Sequence, residues 1–552
     1  MKILLVGINS KFIHPNLAIR YLKANCDYDV KILEYTIKDK FDDIIKDMKI
    51  DQYDIIGFSC YIWNIELITN ILNHIEITFK NKTIILGGPE VSYDYDSYLL
   101  EKLAQFIITG EGELTFNSLV TAIDKKTDLS SIPNLSYIYK DEIIRTKTEQ
   151  IKDLNILKSP YHFANDYHDI HNKIQYVELS RGCPYKCSYC LASLEKGLRF
   201  FEIKNVFTII DHLVDKGAKT IKFLDRSFNA NKTIALDFFK ILIEKDYPNT
   251  VFQFEINGDV LHEDIIEYLK LNLKQNYIRF ELGIQSTNPI VNKAIDRKQN
   301  TEQLINNIIK LQETNVILHL DLIAGLPHED LESFKNTFNE IFLLFSPELQ
   351  LGFLKMLKGT KIRKEAKIYD YKFQELSPYE ITENKFISNE ELKIIHKVET
   401  MLEIYWNRHF MNNTIKLILS NNSNPFDFFL KFYEYHENKN ISFRNYQLSD
   451  LFINIKNFLL DMNLFNIKID DSLKLDYLSY NKIKPKIYWE DKLNKQEILR
   501  EFFVINNTYP IDLLYKYSLV TKYQLGYLIV IYLPNGKIIY YLSNNQTKRI
   551  SL

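Results

Sequence analysis

The chain has 552 residues, a formal net charge of −2 at pH 7, 46 % hydrophobic residues and 25 % charged residues. Single hydrophobic cores stop growing near roughly 250 to 300 residues, so this length predicts about three globular domains. The near-neutral charge, with no long Lys or Arg block, argues against nucleic acid as a partner. No window approaches the ~18 apolar residues of a membrane span, and the apolar opening is too short for a secretory signal, so we expect a cytoplasmic protein.

Residues 1–130 alternate short apolar runs with amphipathic segments, which predicts βα units and an open, doubly wound parallel sheet. The strand candidates are KILLVGI, DVKILEYTI, DIIGFSCY, TIILGG and FIITGEGE. Ligands of such sheets bind at the carboxyl ends of the strands. Any one of the turns there could be an ordinary tight turn, but four together favour a ligand crevice. The candidate cofactor contacts in these turns are Asn9, Ser10, Ser59, Gly87, Gly88, Gly110 and Glu111.

Residues 131–172 predict a hairpin, turning at Lys140-Asp141, followed by a linker. The βα rhythm then resumes over residues 173–390, with strand candidates YVELS, TIKFLD, VFQFEI, IRFELGI, VILHLDLIAG and LQLGFLKML. Six such units predict a partial, open (β/α)6 barrel of the TIM type, whose active site lies at the carboxyl ends of its strands.

Residues 391–552 change to long helical patterns and end in a hairpin around Pro534-Asn535-Gly536, which predicts a third, mainly helical domain. The tyrosines and phenylalanines of this domain could line a substrate lid, but aromatic residues at helical spacing more often form a core.

A cysteine motif follows the first barrel strand, in ELSRGCPYKCSYCLAS, where Cys183, Cys187 and Cys190 have the spacing C-x3-C-x2-C. Three thiolates from one short loop can ligate three irons of a 4Fe-4S cubane and leave the fourth iron open for a small ligand. Zinc is the alternative, but structural zinc usually takes four ligands in paired C-x2-C knuckles. The other cysteines, Cys26 and Cys60, lie far away in sequence and suit buried small residues better than ligands.

The cysteine spacing, with aromatic Tyr189 directly before the last cysteine, resembles the signature of the radical S-adenosylmethionine (SAM) superfamily. In that family the open iron binds the amino and carboxylate groups of SAM, and one electron cleaves the sulfonium to a 5′-deoxyadenosyl radical. The resemblance implies that Tyr189 and polar residues at successive strand ends contact SAM. These are Asp225, Ser227, Asn229, Glu255, Asn257, Glu281, Gln285, Ser286, Asp321, Gly325 and Pro327. Each by itself could instead be a capped turn or a satisfied core polar group.

A doubly wound domain before such a barrel resembles the layout of the class B, cobalamin-dependent radical SAM enzymes, over the chain up to about residue 390. This implies cobalamin at the sheet edge. The D-x-H-x-x-G pattern that supplies an axial histidine in many cobalamin proteins is missing, and His14 fits a helix start beside Pro15 better than cobalt ligation. Trp63 could stack on the corrin or simply pack. The C-terminal domain resembles an uncharacterised module found with some bacterial proteins of this type.

The number of cysteines separates the possibilities within the superfamily. Methylthiotransferases that modify tRNA need three N-terminal cysteines, and this chain has only Cys26 and Cys60 in that region. Maturases with auxiliary clusters need cysteines after the barrel, and none follows Cys190. The leading hypothesis is methyl transfer or a related radical rearrangement on an unreactive centre of a small molecule, with a reductant such as a flavodoxin or ferredoxin. A radical SAM enzyme without functional cobalamin and a non-enzymatic cluster or corrinoid sensor are the alternatives.

Overall fold

The computed structural model describes residues 1–79, 81–161, 168–195, 197–420, 424–485, 493–544 and 546–550. These residues form two compact units, Met1–Phe334 with Leu351–Leu392, and Lys335–Gln350 with Lys393–Leu552. Part of the predicted linker, residues 162–167, lies outside the described residues. Within the described residues, no helix has the length and apolar character needed to cross a membrane.

The first unit opens with a seven-stranded sheet in the order β2-β1-β3-β4-β5-β6-β7. Strands β1 to β5 are parallel, and β6 and β7 form an antiparallel edge. The strands are β1 (Ile3–Asn9), β2 (Val30–Thr36), β3 (Ile55–Ser59), β4 (Thr83–Gly87), β5 (Phe106–Ile108), β6 (Leu135–Tyr139) and β7 (Glu142–Arg145). The helices are α1 (Leu17–Ala24), α2 (Phe41–Met48), α3 (Ile65–Thr78), α4 (Asp96–Leu100) and α5 (Glu113–Lys125). All five predicted strands and the hairpin are confirmed, and the hairpin extends this sheet.

The continuous apolar runs of β1 and β3 are explained by burial on both faces of the sheet, as expected for a parallel sheet between two helix layers. Ile3 and Leu5 belong to one core cluster, with residues of α1 and α5. Leu4, Val6 and Ile8 belong to a second cluster, with residues of α2, α3 and α4. The doubly wound architecture is therefore confirmed.

The barrel sheet has the order β15-β14-β13-β12-β11-β8, and its two outer strands do not pair, so the barrel is partial as predicted. Its elements begin with β8 (Ile174–Val177), β9 (Ser180–Arg181), β10 (Arg199–Phe200), α6 (Ile203–Asp215), β11 (Thr220–Phe223), α7 (Lys232–Lys245), β12 (Val251–Ile256), α8 (Glu263–Asn272) and β13 (Ile278–Gln285). They continue with α9 (Pro289–Ala294), α10 (Thr301–Gln312), β14 (Ile317–Ala324), α11 (Leu331–Phe342), β15 (Glu348–Phe353), α12 (Lys361–Lys364), β16 (Lys372–Phe373) and β17 (Ile381–Glu383).

Burial alternates along the barrel strands, which separates an apolar outer face from a polar lumen. Phe223, Phe254 and Phe280 are fully buried, and Phe254 packs on both of the others at ring distances of 4.8 and 6.1 Å. The intervening residues of β12 and β13, including Glu255 and Glu281, are only half-buried. Charged groups therefore face the space that a substrate or cofactor can enter.

The second unit is mainly helical, as predicted, and ends in an antiparallel sheet in the order β18-β19-β20-β21. The helices are α13 (Asn389–Tyr405, which begins in the first unit), α14 (Asn412–Leu419), α15 (Pro425–Asn438), α16 (Leu448–Asp461), α17 (Ile467–Tyr480), α18 (Lys495–Ile505) and α19 (Ile511–Tyr517). The strands are β18 (Ser518–Tyr523), β19 (Gly526–Leu533), β20 (Gly536–Ser543) and β21 (Gln546–Ile550). Phe432 stacks on Phe458 at 4.5 Å, so the aromatic residues here do form a core.

Candidate cofactor site

The three cysteines lie on the loop between β9 and β10, described over residues 182–195 and 197–198, and the antiparallel pairing of β9 with β10 closes the base of this loop. Gly182 has a φ of +92°, and a Cβ at this position would overlap the carbonyl oxygen of Gly197. Only glycine therefore allows the two ends of the loop to meet so closely. Cys183 and Cys187 are each 8 % exposed, and Cys190 is half-buried, with its backbone N–H donating to the Cys187 carbonyl at 3.1 Å.

Arg226 supplies positive charge beside this loop. Burial raises the pKa of the Cys183 and Cys190 thiols, whereas the Arg226 guanidinium acts to lower both. Metal ligation requires the thiolate, so a nearby cation favours the ligating form. No three His, Cys, Asp or Glu side chains in the described part of the chain could hold a single metal ion. A cubane differs from such a site because it takes each thiolate at a different iron.

Arg297 connects the loop to the barrel. Its Nη1 donates to Tyr189 Oη at 3.3 Å and lies 4.0 Å from Cys187 Sγ, while Nη2 donates to the carbonyl of Gly283 at the end of β13. Burial raises the pKa of the Tyr189 phenol, and the Arg297 charge opposes that shift. Sequence reasoning missed both arginines. Arg226 follows the predicted site residue Asp225 directly, which was a usable signal, whereas Arg297 lies in no recognisable motif.

Asp225, predicted to contact SAM, lies beneath the start of the cysteine loop and is 1 % exposed. Its Oδ2 accepts from the Leu179 backbone N–H at 2.9 Å, and its Oδ1 accepts from Ser180 Oγ at 2.6 Å. Burial raises the pKa of this carboxyl to about 7. Both carboxylate oxygens are occupied by the segment that leads into the cysteines, so Asp225 holds that segment in place.

Asn229 plays a similar part between neighbouring strand ends. Its Nδ2 donates to the Asn257 carbonyl at 2.8 Å, and its Oδ1 accepts from the Asn257 N–H at 2.9 Å. The side-chain amide of Asn229 thus both donates a hydrogen bond to the backbone of Asn257 and accepts one from it. A direct contact of Asp225 or Asn229 with SAM stays a prediction.

Glu255, Glu281 and Asp321 line the lumen on successive strands. The register places Glu255 opposite Glu281 and Glu281 opposite His319. Glu281 pairs with Lys222 at 2.6 Å, and Asp321 Oδ1 lies 3.1 Å from His319 Nε2. Burial raises the pKa of Glu255, while Arg226 and Lys222 oppose the shift. Unlike the buried residues Asp225 and Ser286, these half-buried carboxylates are accessible to a ligand in the lumen.

Gln285 and Ser286 end β13 and lie deeper. Gln285 has a φ of +68° and its buried Oε1 has no hydrogen-bond partner among the described residues. Ser286 Oγ donates to Glu329 Oε1 at 2.5 Å, and burial raises the pKa of the Glu329 carboxyl to about 8. Gly325 packs so closely on Ile381 that a Cβ would overlap it. The Gly325 carbonyl accepts hydrogen bonds from other parts of the barrel unit, which explains this glycine by packing.

A cavity of about 540 Å³ opens at the carboxyl ends of β3, β4 and β5 and extends to the cysteine loop. Register brings these ends together, because Ser59 pairs with Gly87 and Gly87 pairs with Ile108. The predicted residues that line the cavity are Ser59, Gly87, Gly88, Gly110 and Glu111. Asn9 and Ser10 are not among the lining residues, and Asn9 Nδ2 instead donates to Glu34 Oε1 at 3.0 Å. From the barrel, lining residues include Gly182, Leu191, Leu194, Arg199 and Arg226.

One arm of the cavity is apolar and follows the face of the sheet between α1 and α5, where it is lined by Leu5, Ala18, Ile19, Leu22, Gly57, Ile85, Ile108 and Phe116. At the polar end, Gly110 has a φ of +71°, and a Cβ there would meet no atom within 4 Å. Two lining residues have buried polar atoms with no hydrogen-bond partner among the described residues: Arg199 at Nε and Nη2, and Glu113 at Oε2. A corrin, with its broad ring and its carboxamide side chains that both donate and accept, fits this combination of space and unpaired groups.

His14 and Trp63, the two residues considered from the sequence for contact with cobalamin, do not line the cavity. His14 Nδ1 is hydrogen-bonded to Tyr176 Oη at 2.6 Å, which supports its structural role. Trp63 stacks on Tyr61 at 4.5 Å and donates to the Ile8 carbonyl, and Tyr61 itself does line the cavity. No histidine lines the cavity within the described part of the chain.

Three protein families match consecutive parts of the chain. Residues 3–120 match the B12 binding domain, residues 177–341 match the radical SAM superfamily, and residues 367–523 match a protein family of unknown function, DUF4080. This chain is a radical SAM protein with a B12-binding domain. The predicted family is confirmed, and with it the predicted cofactors: a 4Fe-4S cluster, SAM and cobalamin.

Curated proteins and solved structures are similar to large parts of this chain. An uncharacterised methyltransferase of Pyrococcus horikoshii is 25 % identical over 361 residues, which are 63 % of this radical SAM protein and 76 % of that one. The cobalamin-dependent radical SAM methyltransferase TokK of Streptomyces tokunonensis is 25 % identical over 58 % of this chain and 49 % of TokK, so the match spans about half of that relative. The cobalamin-dependent SAM radical enzyme OxsB, solved with aqua-cobalamin and SAM bound, superposes with a TM-score of 0.62 at 16 % identity, covering 86 % of this chain and 78 % of OxsB. This last likeness shows the fold.

Proposed function

We propose that this radical SAM protein is a cobalamin-dependent methyltransferase that acts on a polar small molecule. The observation that carries the proposal is the cavity, because one continuous wall contains both the B12-domain strand ends and the cysteine loop. When bound, the cluster supplies the electron that cleaves SAM, and cobalamin supplies a carrier for a methyl group. Placing both cofactors at one cavity serves a reaction that uses them together.

The cysteine loop would hold the cluster through Cys183, Cys187 and Cys190. Arg226 and Arg297 bring two positive charges to the loop, which favours the thiolates and moderates the negative charge of a thiolate-ligated cluster. Arg297 also holds Tyr189 against the end of β13. These contacts hold the loop in position against the barrel.

The glycine turns and the apolar arm would hold cobalamin. Gly87, Gly88 and Gly110 keep side chains away from the mouth of the cavity, and the arm between α1 and α5 offers an apolar slot for the nucleotide tail.

The barrel lumen supports the polar nature of the substrate. Glu255, Glu281 and Asp321 share the lumen with Lys222 and His319, and all five are only half-buried. An apolar substrate would have to desolvate these charges without replacing their hydrogen bonds. We further propose that a flavodoxin or ferredoxin supplies the electrons, in the cytoplasm.

The test is anaerobic reconstitution followed by reduction with dithionite. Wild-type protein is expected to hold four irons and four sulfides per chain, to retain a corrinoid through gel filtration, and to release 5′-deoxyadenosine from SAM. The variant Cys187→Ala should lose 5′-deoxyadenosine release, while Cys26→Ala, which changes a thiol that does not line the cavity, should not. Absence of iron and sulfide from the wild type overturns the radical SAM assignment. Iron without a retained corrinoid favours a radical SAM enzyme that does not use cobalamin. Both cofactors without cleavage of SAM favour a sensor.

A further inference from the structure

Two arginines face each other at the base of the cysteine loop. The register of the β9–β10 pair places Arg181 directly opposite Arg199. Their side chains are only 12 % and 14 % exposed, so water screens their repulsion poorly. Like charges directly opposite on an antiparallel pair are destabilising. The β9–β10 pair, which closes the loop, therefore needs negatively charged side chains from elsewhere in the protein.

Glu111 of the B12-binding domain supplies an anion to both arginines. Its Oε1 lies 3.3 Å from Arg181 Nη1, and its Oε2 lies 2.8 Å from Arg199 Nη1. The Ile151 backbone N–H donates to the same Oε2 at 2.7 Å and fixes the orientation of the carboxylate. Arg181 Nη2 also forms ion pairs with Glu113 Oε1 at 2.7 Å and with Glu178 Oε2 at 2.9 Å. Glu111 is thus shared between the two strands that begin and end the cysteine loop.

The position of Glu111 gives this ion pair a second property. It belongs to the turn between β5 and α5, flanked by Gly110 and Gly112, and these three residues line the cavity proposed for cobalamin. Arg181 and Arg199 line the same cavity. A ligand that packs against this turn restricts the Glu111 side chain, and a closed cysteine loop restricts the same side chain from the other side.

We propose that Glu111 is a positioning residue that couples occupancy of the cobalamin cavity to closure of the cysteine loop. The inference rests on the proposed function, since it takes the loop to hold the cluster and the cavity to hold cobalamin. Coupling between two ligands through one shared element is reciprocal, so each cofactor strengthens binding of the other by the same factor. Assembly of the two cofactors is therefore cooperative.

The experiment measures both directions of this coupling. Hydroxocobalamin affinity is determined for protein with and without the reconstituted cluster, and the rate of iron loss to a chelator is determined with and without hydroxocobalamin. In the wild type the cluster should tighten cobalamin binding, and cobalamin should slow iron loss. In Glu111→Gln both effects should vanish, and iron loss should be about tenfold faster, the loss expected for one buried charged hydrogen bond.

Glu149→Gln is the matched control. Glu149 lines the same cavity, but its carboxylate pairs with Lys147 rather than with either arginine. This variant removes the same charge and should keep the coupling of the wild type. The double variant Glu111→Gln with Arg199→Gln relieves the repulsion between the arginines, so iron retention should recover, whereas the coupling should stay lost. If iron retention recovers in the double variant while the coupling between the cofactors does not, Glu111 has a coupling role and not a purely structural one.

The outcomes distinguish the two proposals. Wild-type protein that holds no iron or no cobalamin contradicts the proposed function, and the inference falls with it. Wild-type protein that holds both, together with coupling in Glu111→Gln equal to that of the wild type, overturns the inference alone. If Glu111→Gln does not fold, as judged by thermal unfolding, the double variant decides, because coupling retained there also overturns the inference.

Discussion

Arg297 Nη1 donates to Tyr189 Oη at 3.3 Å and joins residues that are 108 positions apart in the sequence. The same nitrogen lies 4.0 Å from the Cys187 sulfur. One guanidinium therefore fixes the aromatic residue of the cysteine motif and places positive charge beside a candidate cluster ligand. Its position makes the electronic environment of the loop depend on the end of β13.

Replacing Arg297 should change the reduction potential of the cluster. Removing a cation near a thiolate-ligated cluster disfavours the more negative reduced state, so Arg297→Gln should lower the potential, on the order of tens of millivolts. Redox titration followed by EPR of the reduced cluster measures this shift. Tyr189→Phe keeps the arginine and should move the potential much less. Equal shifts in the two variants would show that the charge of Arg297 is not the cause.

Gly182 should be essential for iron retention, because its Cβ-free backbone packs on the Gly197 carbonyl at φ +92°. Gly182→Ala should prevent closure of the cysteine loop and abolish retention of iron after reconstitution, while hydroxocobalamin should still bind, with the affinity of wild-type protein that lacks the cluster. Gly197→Ala is the control. Gly197 also has a positive φ, of +75°, but a Cβ there would meet no atom within 4 Å, so only backbone strain of about 1 kcal/mol is added. Normal iron content in Gly182→Ala would contradict this account.

Glu329 should make stability depend on pH. Burial raises the pKa of this carboxyl to about 8, above its ordinary value of 4.5. The folded state therefore binds more protons than the unfolded state between these values, so the contribution of Glu329 to the free energy of unfolding falls as pH rises from 4.5 to 8. Glu329→Gln, which keeps an acceptor for Ser286, should flatten this slope in thermal unfolding of the apoprotein. The exposed control Glu375→Gln should leave the slope as it is, and an unchanged slope in Glu329→Gln would refute the assignment.

Blocking the apolar arm should affect cobalamin without affecting the cluster. Ala18 lines the arm from α1 and is exposed, so Ala18→Phe adds bulk to the cavity without overpacking the core. We expect hydroxocobalamin affinity to fall by at least about tenfold, the effect of roughly 1.4 kcal/mol, with iron content unchanged. Equilibrium binding and iron analysis measure the two quantities. Ala18→Ser adds little volume and should bind as the wild type does, whereas undiminished affinity in Ala18→Phe would place the cofactor elsewhere.

The sequence by itself determined the architecture and the cluster motif, because both are local signals. A strand buried on one face has an apolar residue at every second position, and a strand buried on both faces is a continuous apolar run. The three-cysteine motif lies within eight residues of one loop. Only the tertiary structure decided which polar residues share the cavity. Asn9 is hydrogen-bonded to Glu34, and the carboxylate of Asp225 accepts hydrogen bonds from Leu179 and Ser180. Gly325 packs against Ile381, where a side chain would not fit.

The contacts that sequence reasoning missed, including those of the predicted residue Glu111, act across long separations. Glu111 and Arg199 are 88 residues apart, and Arg297 and Cys187 are 110 apart. No periodicity or spacing rule links residues at such distances, because their proximity arises when strand ends from two sheets pack around one cavity. Local physics therefore set the elements and the ligands of the cluster, and packing set the charges that surround them.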